Sequence, residues 1–489
     1  MSKSEFKIHS IHYNFLMNII LKMSSFIFPL ITFPYVSRVL GASGNGKLAF
    51  ASAVINYFSL FASLGIPSYG VKVCAQVRDD KDKLSKTVQE LLTINLFCMF
   101  VSYITFIILM MFIPEFRENQ LLLWINSISI FLSSIGVEWF YQAIEQYDYI
   151  TFRNILFKIV SIVLMFIFVK KSDDYIVYGG ITVIGTYGSN ILNVIRLPKY
   201  ISLKKKYKYS IKKHLSPIFS LFLYSAATTI YTNLDTVMLG LMVGDNQVGY
   251  YNAAVKVKGI LASVVTAMSA VLLPRVSYYL SMNDNKSFLD IIKKTFNFVF
   301  AISIPLTLFF DLAAEPTILI LAGSDYFSSI IPMQIITPAI IFIGIGSITA
   351  WQMLIPLGRE KITVIGALFG AIVDLIINLI LIPKFGASGA AIGTLIAEIC
   401  VVLVHFVALK DQFHSINIFD ELYKIVLACV FSSFIFIFIN RFNFCGSNLL
   451  KMIVLSVSFF SSYFLILVIE KESIANELLK KYFSFFKKI

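Results

Sequence analysis

Fourteen hydrophobic segments of membrane-crossing length fill this chain of 489 residues, and no other feature constrains its fold as strongly. A helix needs about 20 apolar residues to cross the hydrocarbon core of a bilayer. Backbone polar groups have no water to bond there, so uninterrupted apolar segments of this length predict helices. The segments are 13–37, 48–70, 90–113, 120–143, 154–170, 175–197, 217–242, 248–273, 295–318, 328–354, 363–383, 388–409, 423–440 and 449–469. The expected fold class is an all-α polytopic membrane protein with about 14 transmembrane helices. Composition agrees: 58% of residues are hydrophobic and 14% charged, too few charges to cover a water-soluble surface. The first segment is too long for the core of a signal peptide and lacks a small-residue cleavage site, so it reads as a span.

Lys and Arg mark the two sides. With the N-terminus inside, 30 of the 41 basic residues fall to the cytoplasmic segments and the span ends beside them and 8 to the opposite face, while Lys22, Lys256 and Lys258 remain deep inside spans. Both termini are therefore expected in the cytoplasm. The net charge of +13 then marks topology and contact with anionic lipid headgroups, and calls for no nucleic acid. The densest basic run, Lys204, Lys205, Lys206, Lys208, Lys212 and Lys213, joins two halves. Residues 71–90 and 471–489 read as interfacial amphipathic helices on the same face. The five cysteines and five histidines show no metal-ligand or catalytic spacing.

Spans one and two are joined by Gly41-Ala42-Ser43-Gly44, and spans eleven and twelve by Gly386-Ala387-Ser388-Gly389. Spans seven and eight meet at another glycine-containing turn, 243–249. This repetition suggests tandem halves in parallel orientation. The expected organisation is an N-terminal lobe at 1–200, a basic cytoplasmic linker at 201–216, a C-terminal lobe at 217–410, and two additional helices with a basic tail at 411–489.

Polar residues inside four spans fall in stripes. Asn14, Asn18, Lys22 and Ser25 share one helical face, as do Ser52, Asn56, Ser59 and Ser63. Ser225, Thr229, Thr232 and Asp235/Thr236 repeat the spacing in span seven, and Asn252, Lys256, Ser263 and Thr266 in span eight. Ser, Thr and Asn also glue transmembrane helices together, which is the plain alternative. That alternative explains the lysines poorly, because a charge at mid-bilayer costs roughly 2.5–3.5 kcal/mol even on lenient scales. At 1.5 Å per residue, Lys22 lies about 13 Å from the inner boundary and Lys256 and Lys258 about 12–15 Å from the outer one. Lys256 shares the stripe and Lys258 points about 200° away, so Lys256 is the one expected to face a cavity. A cavity with buried cations and few acids suits an anionic ligand.

Residues 28–41, beginning Phe28-Pro29-Leu30-Ile31-Thr32-Phe33-Pro34-Tyr35, together with Ser63-Leu64-Gly65-Ile66-Pro67-Ser68-Tyr69-Gly70, resemble the start of a bacterial O-antigen or capsule repeat-unit flippase. Gly136-Val137-Glu138-Trp139-Phe140-Tyr141-Gln142-Ala143, Asn233-Leu234-Asp235-Thr236-Val237-Met238-Leu239-Gly240 and Asn378-Leu379-Ile380-Leu381-Ile382-Pro383 fit the same family. The resemblance covers residues 10–410. It places the chain in the multidrug/oligosaccharidyl-lipid/polysaccharide exporter superfamily. It implies two six-helix lobes related by a pseudo-two-fold axis around a central cavity, alternating access, and residence in the bacterial inner membrane. It further implies a short oligosaccharide on undecaprenyl pyrophosphate as substrate, for O-antigen or capsule synthesis, with the polysaccharide polymerase as a candidate partner. Lys22, Arg38 and Lys256 are the candidate phosphate contacts, with Asn18, Asn56 and Asn252 meeting sugar hydroxyls. Arg38 also reads as an anchor at the outer interface.

A cation site is the last expectation. Asp374 and Asn378 are i, i+4 on span eleven, Thr394 lies on span twelve and Asp235 on span seven, all roughly 7–13 Å deep. Carboxylate, amide and hydroxyl oxygens suit a hard cation such as sodium, and a proton is the alternative coupling ion. Resemblance to lipid II flippases implies sodium at similar positions; Glu398 extends the cluster. The competing reading pairs Asp235 with Lys256 and leaves Asp374 a buried structural acid. Against the repeat-unit flippase stand other exporters of the superfamily, a drug extruder, which is expected to have an acidic, aromatic cavity, or a lipid II flippase, and a lipid-linked polymerase, which needs a large external loop. No external segment exceeds about ten residues on this map, so the chain is read as a transporter and not an enzyme.

Overall fold

The computed structural model describes residues 9–204, 207–282, 284–413, 417–442, 447–476 and 479. The described chain is helical and contains no strand. Each of the fourteen expected spans falls on helix. Nine described helices are long and apolar enough to cross a membrane, or ten when the bent pair Ser324–Ile336 and Ala339–Leu354 is taken as one span. The elements that matter below are α1 (Ile11–Ser63), α2 (Ile66–Val77), α3 (Lys81–Phe112), α4 (Gln120–Ile135), α5 (Glu138–Ala143), α6 (Tyr147–Phe168) and α7 (175–196). They are followed by α8 (Lys212–Met242), α9 (Asp245–Ser281), α10 (Asn285–Leu312), α11 (Glu360–Phe385), α12 (Ala387–Ala408), α13 (Leu422–Arg441) and α14 (Asn448–Ile469). Among the described cysteines, Cys74, Cys98, Cys400 and Cys429 are free thiols, and Cys445 lies outside the described residues.

Spans one and two form one helical run, α1, broken at Gly41, whose φ of 66° is open to glycine and strained for other residues. The matching glycine of the second motif, Gly386, has φ 53° between α11 and α12. The repeated sequence thus repeats a backbone conformation. Span two ends earlier than expected: α1 stops at Ser63, and Pro67 near the start of α2 opens a separate helix. The amphipathic segment read at 71–90 is therefore α2, and α3 starts anew at Lys81. Asp80 makes that break by accepting hydrogen bonds from the Lys83 and Asp82 amides at 3.0 and 3.1 Å. The Lys83 amide and ammonium hold its carboxyl below the usual range. Most of the tail helix read at 471–489 falls outside the described residues.

Contacts divide the chain into two compact units, Met1–Gly249 and Tyr250–Ile489. In the first, α8 packs antiparallel along the second leg of α1. Asn56 donates to Asn233 Oδ1 at 3.2 Å, the Tyr57 hydroxyl meets the Ile230 carbonyl at 3.4 Å, and the Phe61 and Phe222 rings lie 5.6 Å apart. These contacts hold α8 within the first compact unit. The basic linker is tied to the base of α3. Buried Glu90 accepts from the Ser210 amide at 2.7 Å and pairs with His214 Nε2 at 2.8 Å, and Gln89 donates to the Ser202 carbonyl at 2.6 Å. An apolar core of Ile66, Cys74, Val88, Trp139, Phe140 and Ile218 closes this end. In the second unit, α11 and α12 form a tight hairpin, and Phe309 of α10 packs with Phe436 of α13 and Phe459 of α14.

Candidate functional site: a charged cavity and an oxygen cluster

The first unit contains a cavity of about 760 Å³. Asn18, Lys22 and Ser25 reach it from one face of α1, as their spacing predicts. Lys158 on α6 also lines it, donating to Ser24 and Ser25 hydroxyls at 2.9 and 3.0 Å and lying 5.5 Å from the centre of the Phe28 ring. Two ammonium groups from different helices therefore serve one chamber.

The opposite wall is built by the segment 136–143. Gly136 lets Asn190 approach so closely that a methyl group there would sit 2.4 Å from the Asn190 amide. Val137 takes φ 39°, a strained left-handed conformation for a β-branched residue, and turns the chain into α5. That turn carries Glu138 and Gln142 onto the cavity wall. Behind them Arg153, 1% exposed, spends its guanidinium on Glu138 at 2.6 Å, Ser189 at 3.0 Å and Asn190 at 2.9 Å. Ser189 in turn donates to Asn154 at 2.9 Å. A buried arginine thus sets three groups that line the cavity: Glu138, Asn154 and Asn190. The wall of α7 is a π-helical turn at Ile184–Gly188, a widening found often at functional sites, which brings Thr186 and Tyr187 to the chamber.

Of the substrate contacts expected from sequence, Asn18 and Lys22 line this cavity, and Arg38, Asn56, Asn252 and Lys256 do not. Arg38 is exposed, donates to the Pro34 carbonyl one turn back, and does not line the cavity. Asn56 is engaged with Asn233. Asn252 is half-buried and Lys256 exposed on α9, while Lys258 is half-buried. Lys158, Glu138, Arg153, Asn154 and Asn190 escaped the stripe analysis. Lys158 stands four residues inside span five and reads as part of the basic flank; Glu138 stood in the family motif without a role.

The second unit buries three of the residues expected to hold a cation. Asp374 and Asn378 on α11 are 1% and 0% exposed, and Thr394 on α12 is 5% exposed. Their meeting point is Gly393: a methyl group there would lie 2.3 Å from Asn378 Oδ1 and 2.8 Å from Asp374 Oδ1. Thr394 Oγ1 hydrogen-bonds the Tyr251 hydroxyl at 2.8 Å and the Ala390 carbonyl at 3.2 Å. The carboxylate and amide oxygens that meet at Gly393 suit a hard cation better than a soft one. Asp235, buried on α8, belongs to the first unit, and Glu398 on α12 is half-buried.

Comparison with known proteins places these features. Residues 11–280 match the family described as "Polysaccharide biosynthesis protein". The chain is 24% identical over 381 residues to the "Putative O-antigen transporter" of Escherichia coli K12, covering 78% of this chain and 91% of that one. A protein of the same description from Shigella dysenteriae is 26% identical over 401 residues, covering 81% and 99%. Among solved structures, the inward closed conformation of the lipid II flippase MurJ superposes with a TM-score of 0.74 at 18% identity, over 94% of this chain and all of that one. An inward-facing multidrug transporter of the MATE family and MOP superfamily gives 0.64 at 15% identity, over 79% and 94%. The fold is that of this transporter superfamily, and the chain is a multi-pass membrane protein.

Proposed function

Because the chain belongs to the polysaccharide biosynthesis protein family, we propose that it is a flippase for undecaprenyl-pyrophosphate-linked oligosaccharide repeat units. It carries them from the cytoplasmic to the outer leaflet of the bacterial inner membrane by alternating access, for O-antigen or capsule assembly, with both termini in the cytoplasm. It performs no covalent chemistry. The observation that carries this reading is the cavity lined by Lys22 and Lys158. Lysine is a point charge suited to phosphate, and a chamber of about 760 Å³ lies within the roughly 300–1,000 Å³ range of small-ligand pockets. The pyrophosphate head enters this chamber while the polyprenyl chain stays in lipid. Names of the curated relatives point the same way.

An inside-negative potential favours outward movement of the anionic head by about 2.3 kcal/mol per charge per 100 mV. Return of the empty carrier is coupled to a cation, sodium or a proton, held by Asp374, Asn378 and Thr394. Arg38, Lys256, Asn56 and Asn252 act along the path. The exported repeat unit passes to the polysaccharide polymerase. Deleting the gene tests the reading: lipid-linked repeat units accumulate on the cytoplasmic leaflet and surface polysaccharide is lost. Normal surface polysaccharide without such accumulation contradicts it.

A further inference from the structure

The cavity of the first unit is not uniformly basic, and its one carboxylate needs an explanation. Lys22 and Lys158 come from α1 and α6; Glu138 and Gln142 come from α5, linked by a 3.4 Å hydrogen bond. Glu138 remains 36% exposed although one of its oxygens is held by Arg153. That buried guanidinium compensates the carboxylate from behind, so Glu138 stays an acceptor-only group facing the chamber. Such a group weakens a site meant for phosphate alone, because like charges repel across a low-dielectric chamber. It strengthens a site whose ligand carries hydroxyl or amide N–H donors beside the phosphate, since hydrogen bonds to a charged acceptor are the strong ones.

Resting on the flippase reading above, we propose that Glu138, with Gln142, Asn154 and Asn190, forms a sugar subsite. There the carboxylate accepts hydrogen bonds from the ring next to the pyrophosphate. The subsite takes a neutral, donor-rich sugar, such as a hexose or an acetamido sugar, and disfavours a uronic acid at that position. Lys22 and Lys158 hold the phosphates, and Arg153 is a positioning residue that fixes Glu138, Asn190 and, through Ser189, Asn154. A ligand with one anionic end and one donor-rich end thus meets a chamber with the reverse pattern.

The test uses the full-length protein in lipid nanodiscs and three short-chain probes. These are citronellyl pyrophosphate, the same pyrophosphate carrying N-acetylglucosamine, and the same carrying galacturonic acid, with dissociation constants read by calorimetry. Wild type is expected to bind the acetamido-sugar probe most tightly. Lys158→Ala weakens all three by similar factors. Glu138→Gln weakens only the acetamido-sugar probe, by about tenfold for one charge-assisted hydrogen bond, and improves the uronic acid probe. Glu138→Asp keeps the charge and shortens the side chain by one methylene, which draws the carboxylate back from the chamber, so it shows the same selective loss. Equal loss across the three probes, or no loss, in both Glu138 variants overturns the sugar subsite alone. Failure of wild type to bind any pyrophosphate probe overturns the flippase reading and the subsite with it.

Discussion

Replacing Arg153 by alanine removes a buried charge that ties α5, α6 and α7 together behind the cavity. Three partners lose it at once: Glu138 at 2.6 Å, Ser189 at 3.0 Å and Asn190 at 2.9 Å. Breaking a buried ion pair from one side costs about 3–5 kcal/mol. Glu138 is 36% exposed and recovers part of its hydration, so the expected cost is nearer about 2–4 kcal/mol. For a unit the size of Met1–Gly249 that lowers the melting temperature by roughly 5–15 °C. Tryptophan fluorescence of the purified protein in detergent during heating reads it, and Trp139 beside the cavity is a suitable reporter. Arg153→Lys keeps the charge but not the planar fork, and falls between alanine and wild type. The double variant Arg153→Met with Glu138→Met removes both charges and recovers most of the loss. A shift below about 1 °C in Arg153→Ala, or a double variant no more stable than the single, refutes the keystone argument.

Gly393→Ala places a methyl group on the Asp374 and Asn378 oxygens. Overpacking of this kind costs about 1–3 kcal/mol, and the variant is expected to lose any sodium-induced rise in melting temperature. Asp374→Asn, normally inserted, is expected to abolish the dependence of transport on sodium or pH gradients; unchanged dependence returns Asp374 to the role of a structural acid. Lys256→Ala is expected to reduce surface polysaccharide more than Lys258→Ala at matched membrane levels, since Lys256 is exposed on the striped face of α9 and Lys258 is half-buried. Equal retention in both removes Lys256 from the path.

The spans were legible because a bilayer leaves few options: about 20 apolar residues cross it as helix. The breaks were legible where glycine marked them, at Gly41 and Gly386, both with positive φ. The boundary between span two and α2 was not, since Gly65-Ile66-Pro67 is itself apolar and the change there is of direction, not of polarity. Half of the cavity followed from periodicity. Asn18 and Lys22 share one helical face, and such faces can be read from i, i+4 spacing. Lys158 and Arg153 sit on α6 and Glu138 on α5, and they meet only through packing that no single-helix pattern records. Their burial is offset by one another: Arg153 looks like a flanking charge in sequence and is 1% exposed in the fold. The Asp374–Asn378 pair of the second unit was more accessible, because the two are one turn apart on α11 and Gly393 of α12 packs against both.

Movement of a pyrophosphate-linked oligosaccharide between leaflets is the central claim, and reconstitution measures it directly. Purified protein is placed in sealed vesicles with a fluorescent polyprenyl-pyrophosphate oligosaccharide, and a membrane-impermeant quencher reports the fraction in the outer leaflet over time. Wild type is expected to move the probe within minutes, and the double variant Lys22→Ala with Lys158→Ala to fall to the rate of protein-free vesicles. A wild-type protein that is folded and inserted yet no faster than empty vesicles contradicts the account, as does a double variant that keeps wild-type speed.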